Sequence, residues 1–309
     1  MIARSSVMQR GLRYTRRNLW MPFLFLLPAI LLWAVFMAVP LFSAILLSFQ
    51  SWDGLRPATW VGLRNYSNLL QDRIFLLALR NTAYFVVATV IFQTTIPLLV
   101  ANLVNSGVRG SMAFRTIYFM PVVISLAITG LLWSIIYEPN FGLLNELLRR
   151  VGLESWTRLW LANRTTVMPS LIVVSIWQSL GFYLVIYFAG LQSIPQELYE
   201  AASLDGANAF QRLIHVTVPL LAPVTTVVIV LNTINGVKVF DQIWVMTAGG
   251  PNHASDTLGT YLYTIAFGAL GSSNPQLGYA SAIGILILLL AFVLSMIQIR
   301  WGQASEVEY

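Results

Sequence analysis

Cysteine is absent from the 309 residues, lysine occurs once and histidine twice. The missing thiols exclude cysteine nucleophiles, cysteine-based zinc sites and disulfides together. His215 and His253 stand far apart, with no metal-ligand spacing, so metal catalysis is not expected. Lys238 lies between Val237 and Val239, whereas the phosphate-cradling GxxxxGK[ST] loop needs glycine before its lysine and serine or threonine after it. The chain therefore has no P-loop of its own. Charge is scarce as well. Only 10% of residues are charged against 57% hydrophobic, where soluble domains carry about 25% charged.

What fills the chain instead is apolar sequence in six uncharged stretches: Pro22–Leu47, Asn81–Val104, Thr116–Ile136, Val167–Leu191, Val218–Val237 and Leu277–Ile299. A spanning helix needs about 20 such residues. The expectation is an all-α membrane protein of six transmembrane helices, with one membrane domain over 21–300 and short tails, 1–20 and 301–309. The net charge of +6 suggests nucleic acid at first sight. However, Arg4, Arg10, Arg13, Arg16 and Arg17 cluster directly before the first stretch, which reads as a topology signal placing the N-terminus in the cytoplasm. Over the whole chain the balance is even, with nine arginines, that cluster included, on expected inner segments, eight on outer ones and Lys238 left over. Orientation therefore rests on the N-terminal cluster and on the last outer segment, Asp241 to Gln276, which has no Lys or Arg. A cleavable leader fits poorly, because the uncharged run after Arg17 continues to Gln50, beyond the roughly 7–15 residues of an h-region.

Pro28 and Pro40 fall in the first stretch, where membrane helices tolerate them. Trp52, Trp60 and Tyr66 follow in an outer segment and suit an interface. FGLLNELLRRVGL, from Phe141, has apolar residues at helical spacing and Gly152 as a stop, predicting an amphipathic helix against the membrane surface or a partner. A short, partly inserted helix is expected at Leu258 to Leu270.

All twelve acids lie outside the six stretches. Proton-driven carriers usually need ionisable groups within the bilayer, so a proton relay is not expected. What the spans do offer is uncharged polarity and rings: Trp177, Gln178, Ser179, Phe182, Tyr183 and Tyr187 in the fourth, and Asn232, Thr233 and Asn235 in the fifth. Asn232 and Asn235 are three apart and share a helical face. Two readings stay open: helix–helix hydrogen bonding, or a site where amides meet hydroxyls and rings stack on a polyhydroxylated solute. Lys238 and Asp241, also three apart, either pair on one helix face or line the outer end of a path.

Ser193 to Pro223 is a polar island between two of these stretches. Ser193 with Gln196 suggests a capping box and Pro195 a first helical turn. Leu198, Ala201, Ala202 and Leu204 give a short helix with a small-residue face, broken by Asp205-Gly206. A second short helix with Phe210, Leu213 and Ile214 follows, and Pro219 begins the fifth span. Read physically, this is an ordinary loop helix or a rigid lever facing a partner in water.

The residues Glu200-Ala201-Ala202, then Gly206, then Pro219, resemble the EAA signature of permease subunits of binding-protein-dependent ABC importers. Val216 and Val218 stand where the family usually has Ile and Leu. WVGLRNYSNLL from Trp60, RTIYFMPVVIS from Arg115, FGLLNELL from Phe141, AGLQSIPQELYEAA from Ala189 and VFDQIWVMTAGGP from Val239 are similar, in family order, to the carbohydrate branch of maltose-type and glycerol-3-phosphate-type permeases. The resemblance implies that Glu200, Ala201, Ala202, Asp205 and Gly206 form a coupling helix seated in a separate ATPase. It also implies a heterodimer with a second permease, two ATPase subunits that hold ATP and magnesium, and an extracytoplasmic solute-binding protein. No cofactor is implied for this chain, and no enzymatic activity. Carried over by position, the solute-facing set is Trp177, Ser179, Phe182, Asn232, Asn235 and Gly236, with Gly249-Gly250-Pro251 on the face that meets the binding protein. The setting it implies is a bacterial or archaeal cell membrane, and both termini are expected in the cytoplasm. The solute it implies is a sugar, oligosaccharide or polyol carried by alternating access, with glycerol-3-phosphate or a glycerophosphodiester as the alternative. A secondary carrier and a membrane-embedded enzyme are the readings from other classes.

Overall fold

The first apolar stretch forms helix α1 (Trp20–Trp33), a π-helical turn at Ala34–Ala38, and α2 (Val39–Ser48). A computed structural model describes residues 20–105, 111–268 and 274–304 of the chain. The arginines at 4, 10, 13, 16 and 17, Arg109, the tail beyond Ala304 and the expected helix end at Leu270 lie outside the described residues.

The π-turn has a local cause. Pro40 has no N–H, so the Phe36 carbonyl loses its donor, and a wider turn just before the proline accommodates the gap. The same arrangement recurs at Leu213–Thr217, two residues before Pro219. In both places the π-turn ends two residues short of a proline.

A two-stranded ribbon, β1 (Gln50–Ser51) with β2 (Thr59–Trp60), and α3 (Arg64–Leu69) form the segment after α2. Next come α4 (Arg73–Asn105), α5 (Ser111–Val123), α6 (Leu126–Ile136), α7 (Leu143–Arg150) and α8 (Val167–Gln192). The remainder is α9 (Gln196–Leu204), α10 (Ala209–Arg212), α11 (Val218–Leu220), α12 (Ala222–Val237), α13 (Asp241–Thr247), α14 (Leu258–Phe267) and α15 (Leu277–Ala304).

Among the described residues four helices are long and apolar enough to cross a bilayer: Leu24–Ser48, Arg73–Asn105, Val167–Gln192 and Leu277–Gln303. Two further candidates there are bent pairs, which gives up to six spans among the described residues if each pair crosses as a unit. Neither expected continuous helix in those places exists. The third stretch breaks by 112° between α5 and α6, where Ser125 is extended and its Oγ accepts the Ile128 N–H at 3.4 Å. Pro219 does not begin the fifth span. The helical path from Ala209 runs on to Leu220, bends by 72°, and α12 starts at Ala222 with Pro223 in its first turn. α7 ends at Arg150 and the chain turns away at Gly152 (φ +79°), as its pattern predicted.

The core comprises three clusters, and α4 contributes to all of them. Leu98, Ala101 and Val104 pack on Tyr187, Leu191 and Leu221; Phe85 packs with Leu171, Val174 and Ile243; Phe75 and Ala78 pack with Leu258, Tyr261 and Ile283. The segment after α2 closes onto α15 at very short range, since a Cβ on Gly278 would stand 1.9 Å from the Gln50 carbonyl oxygen. Small residues let membrane helices approach this closely.

Asp72 caps α4. Its Oδ1 accepts the Ile74 and Phe75 amides at 2.9 and 3.2 Å, and its Oδ2 accepts the hydroxyls of Tyr261 and of Tyr279, the latter at 2.8 Å. One carboxylate thereby ties the start of α4 to α14 and α15. Burial pushes this carboxyl up, but the two tyrosine hydroxyls and the two amides outweigh it, and the net value lies below the ordinary one. A depressed folded-state value means that the stabilisation is complete above the unfolded carboxyl's range, about pH 4, and is lost as pH falls through the lower folded value. Asp72→Ala is expected to cost about 1–2 kcal/mol through the lost cap, read as a lower thermal midpoint in detergent at pH 7. The gap from wild type should close as the pH is taken below 4.

Candidate functional site

A cavity of about 380 Å³ opens between α4, α8, α12 and the start of α13. From α4 come Thr89 and Gln93; from α8, Ser175, Gln178, Ser179 and Tyr183. α12 supplies Asn232, Asn235 and Gly236, and the rim carries Lys238, Phe240, Asp241 and Gln242.

Several of these polar groups are already satisfied. Thr89 Oγ1 donates to the Phe85 carbonyl at 2.8 Å, Ser179 Oγ to that of Ser175 at 2.8 Å, and Gln242 Nε2 to that of Leu171 at 2.7 Å. Gln93 Nε2 donates to Ser175 Oγ at 3.0 Å, joining α4 to α8. Asn232 differs. It is 1% exposed, and neither atom of its amide has a hydrogen-bond partner among the described residues. A buried, unpaired amide costs about 1–3 kcal/mol, so this side chain is held with unspent capacity to donate and accept.

Of the six residues expected to face solute, Ser179, Asn232, Asn235 and Gly236 line this one cavity. A Cβ on Gly236 would meet Val86 Cγ2 at 3.0 Å, so the glycine lets α12 lie close to α4. Trp177 and Phe182 are elsewhere. Trp177 is two residues from Ser175, which turns it to the other side of α8, and it packs edge-on against Trp133 at 5.5 Å. Phe182 is 43% exposed, edge-on to Tyr183, outside the lining. Gln93 and Thr89 were not anticipated. An amide in the middle of the apolar run Val86–Val100 was the available signal, since polar groups at that depth are costly unless used.

Lys238 and Asp241 do not pair on a helix face. Lys238 is the last cap of α12 and Asp241 the first residue of α13, with the chain broken at Phe240 (φ −143°, ψ −64°), so three residues of spacing do not make a helical turn here. No ion pair joins them among the described residues. Both line the cavity, one charge of each sign.

The second group of expected residues occupies the polar island. α9 begins after Pro195, not with a Ser193–Gln196 capping box, because Ser193 Oγ donates back to the Gly190 carbonyl at 2.7 Å. The box lies at the next helix, where Gln211 N donates to Asn208 Oδ1 at 2.9 Å and Asn208 N to Gln211 Oε1 at 2.8 Å. Gly206 turns the chain between the two helices with φ +80°, a conformation that favours glycine. Arg212 Nη1 to Ser203 Oγ at 2.7 Å and Tyr199 OH with Thr217 Oγ1 at 3.0 Å brace α9 against α10 and the turn after it. Glu200, Ala201, Asp205 and Gly206 are exposed and Ala202 is half-buried. Beside them Leu204 and Phe210 are 89% and 70% exposed, an apolar tip left uncovered among the described residues. At the base, Leu221 is fully buried at the 72° bend, and a Cβ on Gly190 of α8 would meet its Cδ2 at 2.8 Å.

The Gly249-Gly250-Pro251 turn belongs to a tightly bonded loop. A Cβ on Gly249 would stand 2.0 Å from Asp256 Oδ1. Asn81 Nδ2 donates to the carbonyls of His253, Ala254 and Asp256, and His253 Nδ1 lies 2.5 Å from Asp256 Oδ2. Burial pushes the Asp256 carboxyl up, against the pull of His253 and Thr260. The side chains this loop exposes are Ala248, Asn252 and His253.

The family described as binding-protein-dependent transport system inner membrane component matches residues 9–301. A probable ABC transporter permease, YurN of Bacillus subtilis, is 38% identical over 295 residues, covering 94% of this chain and 99% of that protein. The arabinooligosaccharides transport system permease AraP of Halalkalibacterium halodurans is 35% identical over 283 residues, covering 90% and 86%. A bacterial alginate ABC transporter, crystallised in complex with an alginate pentasaccharide-bound periplasmic protein, superimposes with a TM-score of 0.80 at 25% identity, covering 93% of this chain and 94% of that one.

Because the Asn232 amide has no partner among the described residues, Asn232→Leu is expected to raise stability by about 1 kcal/mol, as an apolar side chain of similar size removes the desolvation cost. A lowered thermal midpoint for the purified variant would show instead that the amide is bonded.

Proposed function

The chain belongs to the family of inner membrane components of binding-protein-dependent transport systems, and on that premise we propose that it translocates a neutral sugar or oligosaccharide as the permease subunit of an ATP-driven importer. The observation that carries this reading is the cavity of amides and hydroxyls among the spans, with Asn232 unpaired in it. Hydroxyl groups of a solute match such a lining, since they donate and accept at once. The names of the oligosaccharide-transporting relatives support the same class. The glycerol phosphate alternative finds no comparable support, because the one lysine in the cavity is matched there by Asp241.

Energy comes from outside this chain. The sequence has no P-loop, and no acid lies within the four long spans or the two bent pairs among the described residues. That argues against both an intrinsic ATPase and a proton-driven carrier. Two ATPase subunits would hold ATP and magnesium, with Glu200, Ala201, Ala202, Asp205 and Gly206 seated in one of them. The exposed Leu204 and Phe210 supply apolar contact there. Closure of the ATPases on ATP would move the braced α9–α10 unit, and the bend at Leu221 would pass that movement to α8 through Gly190. The cavity would then face outward and inward in turn, between this chain and a second permease. A solute-binding protein would dock on the Gly249–Asp256 side; a periplasmic protein is in complex with the alginate transporter. This assigns residues 21–300 to one membrane domain, with both tails in the cytoplasm.

Glu200→Ala combined with Gly206→Pro is the direct test, because proline cannot adopt the φ of +80° at that turn. Proteoliposomes with the complete importer are expected to lose at least about tenfold of ATP-driven uptake and the stimulation of ATPase by the loaded binding protein. The variant should still insert in the membrane. Unchanged coupling would remove α9 from the energy path, and uptake that survives ATP depletion but collapses with the ion gradient would replace the importer by a carrier.

A further inference from the structure

Four aromatic rings form an unbroken contact series that starts at the cavity. Phe240, on the cavity rim, stacks on Trp244 at 5.8 Å and lies 5.0 Å from Tyr263. Trp244 and Tyr263 are 4.6 Å apart, and Tyr263 meets Phe267 at 4.9 Å. The steps Phe240 to Trp244 and Tyr263 to Phe267 are each one helical turn, so the series runs along matching faces of α13 and α14.

These rings are not the core of either helix. α13 turns Ile243 and Met246 inward to the cluster around Leu171, and α14 turns Leu258 and Tyr261 inward to the cluster around Phe75. The aromatic faces are what remains. Phe240, Trp244 and Tyr263 are half-buried and Phe267 is 66% exposed. Partly open rings in a contiguous row that leads to a polar cavity, in place of branched aliphatics, mark a surface that meets something with apolar faces and polar edges. A pyranose or furanose ring has that character.

We propose that Phe240, Trp244, Tyr263 and Phe267 form an aromatic rail along which successive sugar rings of an oligosaccharide stack on their way into the cavity. The inference rests on the carbohydrate reading above and extends it to a chain-like solute. Neighbouring rings at contact distance let a glycan residue engage the next ring as it leaves the last. No step requires a bare sugar face in water. Phe240 connects the rail to the amides of Asn232 and Asn235, where hydroxyl groups then find partners. A solute of several residues touches several rings at once, so the rail favours oligosaccharides over their monomers.

The test uses the complete importer in proteoliposomes, with radiolabelled maltotriose, arabinotriose and xylotriose and the corresponding monosaccharides as probes. For whichever trisaccharide the wild type imports, Trp244→Ala and Tyr263→Ala are expected to lower uptake at limiting concentration about fivefold to tenfold. Trp244→Phe and Tyr263→Phe should remain within about twofold, while Tyr263→Leu should be as poor as alanine. Phe267→Ala, at the exposed end, tolerates truncation and should still lower trisaccharide uptake about threefold. Leucine working as well as phenylalanine at 263 would make the row a packing surface for lipid or for the second permease and overturn the rail. So would trisaccharide uptake at the wild-type rate in the alanine variants. Import of the monosaccharides alone would overturn the rail and leave the sugar-permease reading standing, whereas import of no sugar by the wild type would sink both.

Discussion

A backbone in hydrocarbon has no water to bond, so each N–H and C=O must find its partner within the protein. This constraint governs where the chain is allowed to depart from a helix. Its interruptions fall at places that can absorb them. The gap at Pro40 is taken up by a π-turn, and so is the one at Pro219. Ser125 supplies its own side-chain oxygen at the sharp bend between α5 and α6. The break from Lys238 to Phe240 lies on the rim of the polar cavity. Irregular backbone and functional surface thus coincide, because a cavity offers the missing partners that lipid does not.

The spans were legible because composition alone separates them from the rest, and the polar island between α8 and α12 was legible for the complementary reason. The breaks were not. The 112° turn at Ile124 is marked in residue type only by Ser125, and a lone serine in an apolar stretch is as compatible with a continuous membrane helix as with a cap. Leu221 is similar: the proline that drew attention, Pro219, lies within the helical path, and the bend comes two residues later. The pairing expected of Lys238 and Asp241 failed for the same reason, since spacing has meaning only along an unbroken helix.

Within the site, Asn232 and Asn235 stand three residues apart and both line the cavity, as do Ser179 and Gly236 of the set implied by the resemblance, whereas Trp177 of that set lies on the other side of α8. Gln93 was missed because its partner Ser175 is eighty-two positions away. Tertiary contacts of that kind leave no local pattern. The same holds for Asp72, whose sequence neighbours suggest a helix cap but do not announce Tyr261 and Tyr279. The aromatic row escaped notice because its members belong to two helices separated by a loop.

The unpaired Asn232 amide on α12 has a thermodynamic meaning beyond recognition. A conformation in which the Asn232 side chain stays dry and unbonded is raised in free energy by about 1–3 kcal/mol relative to one that gives it partners. An occupant or a rearrangement that bonds the amide therefore shifts the ratio of the two conformations by about 5-fold to 150-fold, and only this difference, not the total affinity, does so. Vacancy and occupancy of one polar pocket are in this way written into the relative populations of the whole helical assembly.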